Sequence, residues 1–202
     1  MDTLLQRPAN AFCLYVMAHG AGAGMRHPFL QAVADALETL GMATLRYEFP
    51  YMTAGKRRID PPDVLDRCVR EAVERAARED LPLIAGGKSF GGRMTSQAQA
   101  RAPLPGVVGL AFIGFPLHPA RKPATERADH LREVRVPMLF LQGTRDELAD
   151  PRLLRSVVSA LPLAKLCELG GADHAFRVPK GRNAAAELAE PLATWARNVI
   201  GR

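Results

Sequence analysis

Cysteine is scarce in this chain, and the few present are badly spaced for a shared structural job. Cys13, Cys68 and Cys167 are odd in number and form neither a CxxC nor a zinc-type pair. Neither a disulfide framework nor a bound metal is therefore expected, and a reduced, cytoplasmic setting is. Long apolar runs are missing too: none approaches the ~20 residues that span a bilayer, which sets an integral membrane protein aside. The apolar stretch from Ala11 to Ala18 does not read as a secretory signal, because Asp2 offsets Arg7 and the small residues run on through His19-Gly20-Ala21-Gly22. It reads as a buried strand. Blocks of one charge are also lacking. Lys and Arg number 27 against 21 Asp and Glu, a net charge of +6 with a pI near 9.6. The cations nevertheless lie singly among acids, as in Asp66-Arg67, Arg70-Glu71, Glu74-Arg75 and Arg78-Glu79, the pattern of a solvated, paired surface. Lys56-Arg57-Arg58 is the one compact basic cluster, and no aromatics are interleaved with it to stack on bases. Nucleic acid is not an expected partner. The positive balance suits an anionic small substrate equally well.

What remains is a globular chain of 202 residues, 48% hydrophobic and 24% charged, read as one domain over 1–202 with a substantial core. Phe12 to Ala18 is continuously apolar, the mark of a strand covered on both faces. A small-residue loop, His19 to Gly24, follows. Phe29, Val33, Leu37 and Leu40 then recur at helical spacing between Pro28 and Gly41. Met42 to Phe49 predicts a strand, Pro50 to Pro62 a polar loop, and Pro62 to Glu79 a helix with one apolar face. A strand beginning at Leu83 leads into a glycine-rich turn and a helix over Met94 to Arg101. Strands are expected at Val107–Phe115, Val136–Leu141 and Ala164–Leu169, and helices at Pro151–Leu161 and Asn183–Ile200. Between Pro116 and Glu133 the chain is irregular, with a short helix near Arg127 to Arg132. Such alternation means βαβ units: an α/β fold, a three-layer α/β/α sandwich on a mostly parallel sheet of about six strands, without a separate cap domain.

The turn carries the chemistry. Gly87-Lys88-Ser89-Phe90-Gly91 is a G-x-S-x-G run between strand and helix, the nucleophile elbow of α/β-hydrolases. A turn sharp enough to lift a serine hydroxyl above the sheet crowds its own backbone, so the residues two before and two after must be small. The phosphate-loop reading of the same letters needs glycine at position 82, where Pro82 stands. In open α/β sheets function gathers at the carboxyl ends of the strands. Ser89, Asp146 and His174 each follow a predicted strand there, in the chain order expected of a Ser-Asp-His triad. Asp150, which would also cap the next helix, is the main rival to Asp146, with Glu147 behind it. His19 reads as a loop-shaping residue, and His27, His118 and His130 as non-catalytic, with His118 a further candidate for the pocket wall. The N–H groups of Phe90 and Ala21 are the candidate oxyanion donors. Arg26, Tyr47, Tyr51, Met52, Arg93 and Phe115-Pro116-Leu117 are the candidate pocket lining. With only Pro116 to Glu133 to serve as a lid, a shallow, open site is expected.

The blocks HGAGAGM with HPF, LRYEFPYM, GGKSFGGRM, FPLHP, LFLQGTRD and GADHAF resemble, across essentially the whole chain, the hydrolase-like family of testis-expressed proteins. That family is related to the non-specific-lethal complex subunit and, more distantly, is similar to dienelactone hydrolases. The resemblance implies the α/β-hydrolase fold, Ser89, Asp146 and His174 as the matching triad, and no cofactor. The chain departs from dienelactone hydrolases in its serine nucleophile, its short N-terminus without a leading hairpin and its lack of a cap. The expected activity is serine hydrolysis of a small ester or thioester, with a small molecule as partner and a homodimer left open. A non-catalytic interaction protein on the same scaffold is the second reading, since some relatives act in complexes. A nucleotide- or nucleic-acid-binding module is the third.

Overall fold

The computed structural model describes residues 1–201. The strands are β1 (Thr3–Gln6), β2 (Cys13–Ala18), β3 (Met42–Tyr47), β4 (Leu83–Lys88), β5 (Val107–Ile113), β6 (Met138–Gly143) and β7 (Ala164–Leu169). They form one sheet in the order β1-β3-β2-β4-β5-β6-β7. Every pairing is parallel except that of β1, which runs antiparallel to β3 with Leu5 opposite Leu45. β2, β3 and β6 are buried along their whole length, which is why their sequences read as apolar runs and not as alternation.

Helices cover both faces. Helices α3 (Pro62–Ala77), α4 (Phe90–Arg101) and α5 (Pro151–Ser159) pack on one side, where Val69, Val73 and Leu154 meet Leu45, Phe112 and Phe140. On the other side α1 (Pro28–Thr39) and α6 (Ala184–Ile200) bring Leu30, Val33, Leu37, Leu188, Leu192 and Trp195 against Tyr15, Ile84 and Leu139. Each of those large side chains contributes ~1.5–3 kcal/mol by leaving water. Three layers result, as the alternation predicts, and no inserted cap interrupts them among the described residues.

The differences from the sequence reading are local. A seventh strand, β1, uses the N-terminal residues; four residues with no apolar alternation carry no strand signal of their own. Pro50–Thr53 forms a one-turn helix, α2, inside the expected loop. Helix α4 starts at Phe90, not Met94, because Gly91 and Gly92 disguise its first turn. They are glycines for a packing reason: a Cβ on Gly91 would lie 2.4 Å from the His19 carbonyl oxygen, and one on Gly92 2.7 Å from that of Gly87. The irregular stretch contains a 3₁₀ segment over Glu126–Glu133 that packs on α4. All the loops that matter below leave the carboxyl ends of β2, β4, β6 and β7.

Candidate active site

Ser89 stands between β4 and α4 with φ 49° and ψ −116°, a conformation that L residues avoid unless their surroundings impose it. The imposition comes from both sides of the turn. A Cβ on Gly87, itself at φ 139°, would meet the Ala18 carbonyl oxygen at 2.2 Å. Gly91 leaves as little room against the same strand end. The Ser89 N–H donates to the Ile113 carbonyl (3.0 Å) and its own carbonyl accepts from Arg93 N–H (3.1 Å), so the strained residue is pinned to sheet and helix together.

His174 follows β7 and approaches Ser89 from across the sheet. Its Nε2 lies 2.8 Å from Ser89 Oγ, and its Nδ1 lies 2.8 Å from Asp146 Oδ2. Asp146, at the end of β6, is 4% exposed. Its carboxylate also accepts from Gln142 Nε2 (2.6 Å) and from Leu148 N–H (2.8 Å). With those bonds filled, the carboxylate is fixed as the acceptor for Nδ1–H, which leaves the Nε2 lone pair for the serine hydroxyl. Hydroxyl, imidazole and buried carboxylate in series is an arrangement able to take a proton from oxygen and hand it on.

Asp150, the rival carboxylate, caps α5 instead, accepting from Arg152 N–H (2.9 Å) and Leu153 N–H (3.1 Å). Glu147 is exposed. His118 is tied up by the backbone: Nε2 accepts from Asp150 N–H (2.7 Å) and Nδ1 faces the Pro119 carbonyl (2.9 Å). His130 contacts Ser96 Oγ (2.8 Å) on the far side of α4, where burial first and then the Arg93 charge push its pKa down to about 4.

The loop after β2 is braced from beneath. His19 is wholly buried; its Nδ1 sits 2.7 Å from the Gly20 carbonyl, and its Nε2 is 3.2 Å from Phe49 N–H and 3.0 Å from Glu48 Oε1. Burial outweighs that carboxylate and holds the imidazole below its ordinary range. Neutral His19 thus donates to Gly20 and accepts from Phe49, a loop-shaping role. Glu48 accepts from Met25 N–H (3.2 Å) and the Tyr51 hydroxyl from Gly22 N–H (3.1 Å). Two backbone donors near Ser89, the N–H groups of Ala21 and of Phe90 at the first position of α4, take part in no hydrogen bond among the described residues.

Beside Ser89 and His174 opens a cavity of about 430 Å³ walled by Ala21, Ala23, Phe29, Leu30, Leu148 and Ala175, with Gly20, His27 and Lys88. None of the predicted substrate contacts lines it. Tyr51 is 1% exposed and is spent on Gly22. Phe115 and Leu117 are core residues packed with Phe112 and Phe140, and Tyr47 and Met52 also pack into that layer. Arg26 projects to solvent. Arg93 is half-buried beside His130 and Arg127. Apolar residues at strand ends serve core and pocket equally well, so type alone does not separate the two. No residue of Pro116–Glu133 borders the cavity; His118 is bonded to Leu148 and Asp150 in the loop after β6, and the 3₁₀ segment packs on α4. The wall comes instead from the β2–α1 loop and the first turn of α1. Lys88 and Phe29 were missed: one lies inside the elbow motif itself, the other begins a helix whose periodicity points at the core. Among the described residues no group of three or more His, Cys, Asp or Glu side chains is placed to hold a metal ion.

A mostly parallel sheet with helices on both faces, a strained serine at the central strand–helix turn and a buried Asp and a His following the last two strands define the α/β-hydrolase class. The chain belongs to the α/β-hydrolase domain family, whose model matches residues 12–200. It is similar in structure to an α/β serine hydrolase homologue from Coxiella burnetii (TM-score 0.75, 19% identity, 95% of this chain and 89% of that one). An esterase domain from Rhodothermus marinus is also similar (TM-score 0.71, 21% identity, 96% and 91%). So is a dienelactone hydrolase from Anabaena variabilis (TM-score 0.73, 20% identity, 97% and 90%). At these identities the likeness is one of fold.

Proposed function

We propose that the protein is a serine hydrolase that transfers the acyl group of a small ester or thioester to water through Ser89, His174 and Asp146. The observation that carries this reading is the unbroken line of two 2.8 Å contacts from Ser89 Oγ through the imidazole to a buried carboxylate. His174 Nε2 takes the Ser89 proton as Oγ attacks the carbonyl carbon, and Asp146 holds the imidazolium that forms. The carbonyl electron pair moves onto oxygen beside the Phe90 and Ala21 N–H groups, where one donor is worth ~10²–10³ in rate. Collapse breaks the bond to the leaving group, which departs with the proton from Nε2. Water then repeats the sequence on the acyl-serine, His174 taking its proton and returning it to Ser89 Oγ as the acid leaves.

Relatives solved as an esterase domain and a dienelactone hydrolase are consistent with acyl chemistry on this scaffold, and membership of the testis-expressed hydrolase-like branch is part of the proposal. No helix among the described residues is long and apolar enough to cross a membrane, which agrees with a cytoplasmic enzyme acting on a dissolved substrate. Turnover of short-chain ethyl esters and thioesters tests the reading. The parent should hydrolyse at least one class, and Ser89→Ala and His174→Ala should each lose ~10³-fold or more. Turnover that survives Ser89→Ala sinks it.

A further inference from the structure

One cationic side chain in the cavity wall has no part in the acyl-transfer steps. Lys88 is the last residue of β4, and its Nζ donates to the His174 carbonyl at 2.7 Å. It also lies 3.5 Å from His174 Nε2 and 5.2 Å from the centre of the Phe176 ring. An ammonium has three donors; the His174 carbonyl takes one and Nε2, at the limit of hydrogen-bond distance, can take a second, which leaves at least one for a ligand. Among the described residues Lys88 has no carboxylate at ion-pair distance; Asp146 and Asp173 act on it only from further away. No acidic residue lines the cavity, and apart from Ser89, His27 and His174 its remaining wall is aliphatic, aromatic or glycine.

A half-buried cation without a counter-ion is costly unless something of opposite charge arrives. A mostly apolar pocket with one charged group in its wall is also the usual form of a specificity site. We propose that this cavity takes acyl groups that end in an acid, with Lys88 binding the terminal carboxylate of a dicarboxylic half-ester or half-thioester. The inference rests on the hydrolase reading of Ser89 and adds the substrate class. Size agrees: about 430 Å³ is near the lower end of small-molecule sites, ~300–1,000 Å³, and suits a chain of succinyl or glutaryl length. Position agrees as well. Lys88 Nζ and Ser89 Oγ flank the same imidazole edge, so a carboxylate on one leaves a short spacer to a carbonyl on the other. A docked carboxylate would also offset the ammonium charge beside Nε2 as the imidazolium forms, so the acid end would aid the chemical step as well as binding.

The test compares monoethyl glutarate with ethyl pentanoate, which has the same chain length and no charge. The parent should favour the half-ester in kcat/KM by roughly tenfold or more. Lys88→Met should abolish that preference and Lys88→Arg should keep most of it. Lys165→Met, which removes one positive charge from the β7 edge of the sheet, should leave it unchanged. If Lys88 only braces the His174 carbonyl, Lys88→Met lowers both substrates together and the ratio does not move, which overturns the inference. Calorimetric titration with glutarate needs no turnover: binding to the parent that is lost in Lys88→Met supports the proposal, and equal or absent binding in both rejects it. Fluorophosphonate labelling of Ser89, run in parallel, reads the hydrolase assignment separately. Labelling without any preference for the half-ester rejects the acid-end site alone; glutarate binding without labelling rejects the hydrolase alone.

Discussion

Replacing Gly87 by alanine should be among the most damaging single-methyl additions this protein can receive. The new methyl would lie 2.2 Å from the Ala18 carbonyl oxygen and 2.6 Å from the Ala18 nitrogen. Both are backbone atoms in the middle of the sheet and cannot swing aside. Overpacking of this kind costs ~1–3 kcal/mol, and a φ of 139° adds ~1–3 kcal/mol for a side-chain-bearing residue. The sum is a loss of about 2–6 kcal/mol, and at ~2–4 °C per kcal/mol Tm should fall by roughly 5–20 °C. Two other glycines separate the contributions. Gly22, at φ 71° with open space around its Cβ position, should lose only ~1 kcal/mol as alanine. Gly170 has neither constraint, and its alanine variant should stay within ~0.5 kcal/mol of the parent. Thermal denaturation of the three variants gives the ranking. A Gly87→Ala protein that melts within a degree or two of Gly170→Ala would refute the packing account of the elbow.

Asp146→Asn keeps the shape of the buried side chain but turns an acceptor into a donor opposite His174 Nδ1; a fall of ~10³–10⁴ in kcat with an unchanged melting curve is expected, and a fall below tenfold would remove Asp146 from the proposed triad. Tyr51→Phe deletes the acceptor for Gly22 N–H and should cost ~0.5–1.5 kcal/mol in denaturant unfolding while KM for short esters stays within about twofold; a large rise in KM would put Tyr51 back in the pocket. Burial pushes the Lys88 amine down to about 8, only partly opposed by Asp146 and Asp173. It is an ammonium below that pH and an amine above it, so the preference for an acid-ended ester measured across pH 7 to 9 should shrink as pH rises, and a preference constant over that range would contradict the ion pair. Burial likewise pushes the Cys13 and Cys68 thiols up to about 12; iodoacetamide at pH 8 should reach the less buried Cys167 first, as peptide mapping would show.

The parts of this molecule legible in its sequence are those fixed by local chemistry. Gly87 and Gly91 announce the elbow because no larger residue fits against Ala18 and His19, and the fully buried β2, β3 and β6 announce themselves as unbroken apolar runs. That Asp146 and His174 come together beside Ser89 is foreshadowed by their positions after strands, where the topology leaves loops in common. The cavity wall was not legible, because which loop leans over Ser89 is a tertiary matter. Tyr51, Phe115 and Leu117 follow the carboxyl ends of strands, as pocket residues would, yet the core between the sheet and α3–α5 claims them. Lys88 stood in plain sight as a spacer letter in G-K-S-F-G, and only the approach of His174 from β7 gives its ammonium a setting. β1 and α2 are too short for any periodicity to show.

The central claim is that Ser89 is an activated nucleophile, and a fluorophosphonate probe read by intact mass tests it most directly. The account predicts a single adduct on the parent, none on Ser89→Ala, and much slower labelling of His174→Ala. A folded parent that takes up no probe would contradict it, and the serine, imidazole and carboxylate would then be a preserved geometry without the reactivity argued for them.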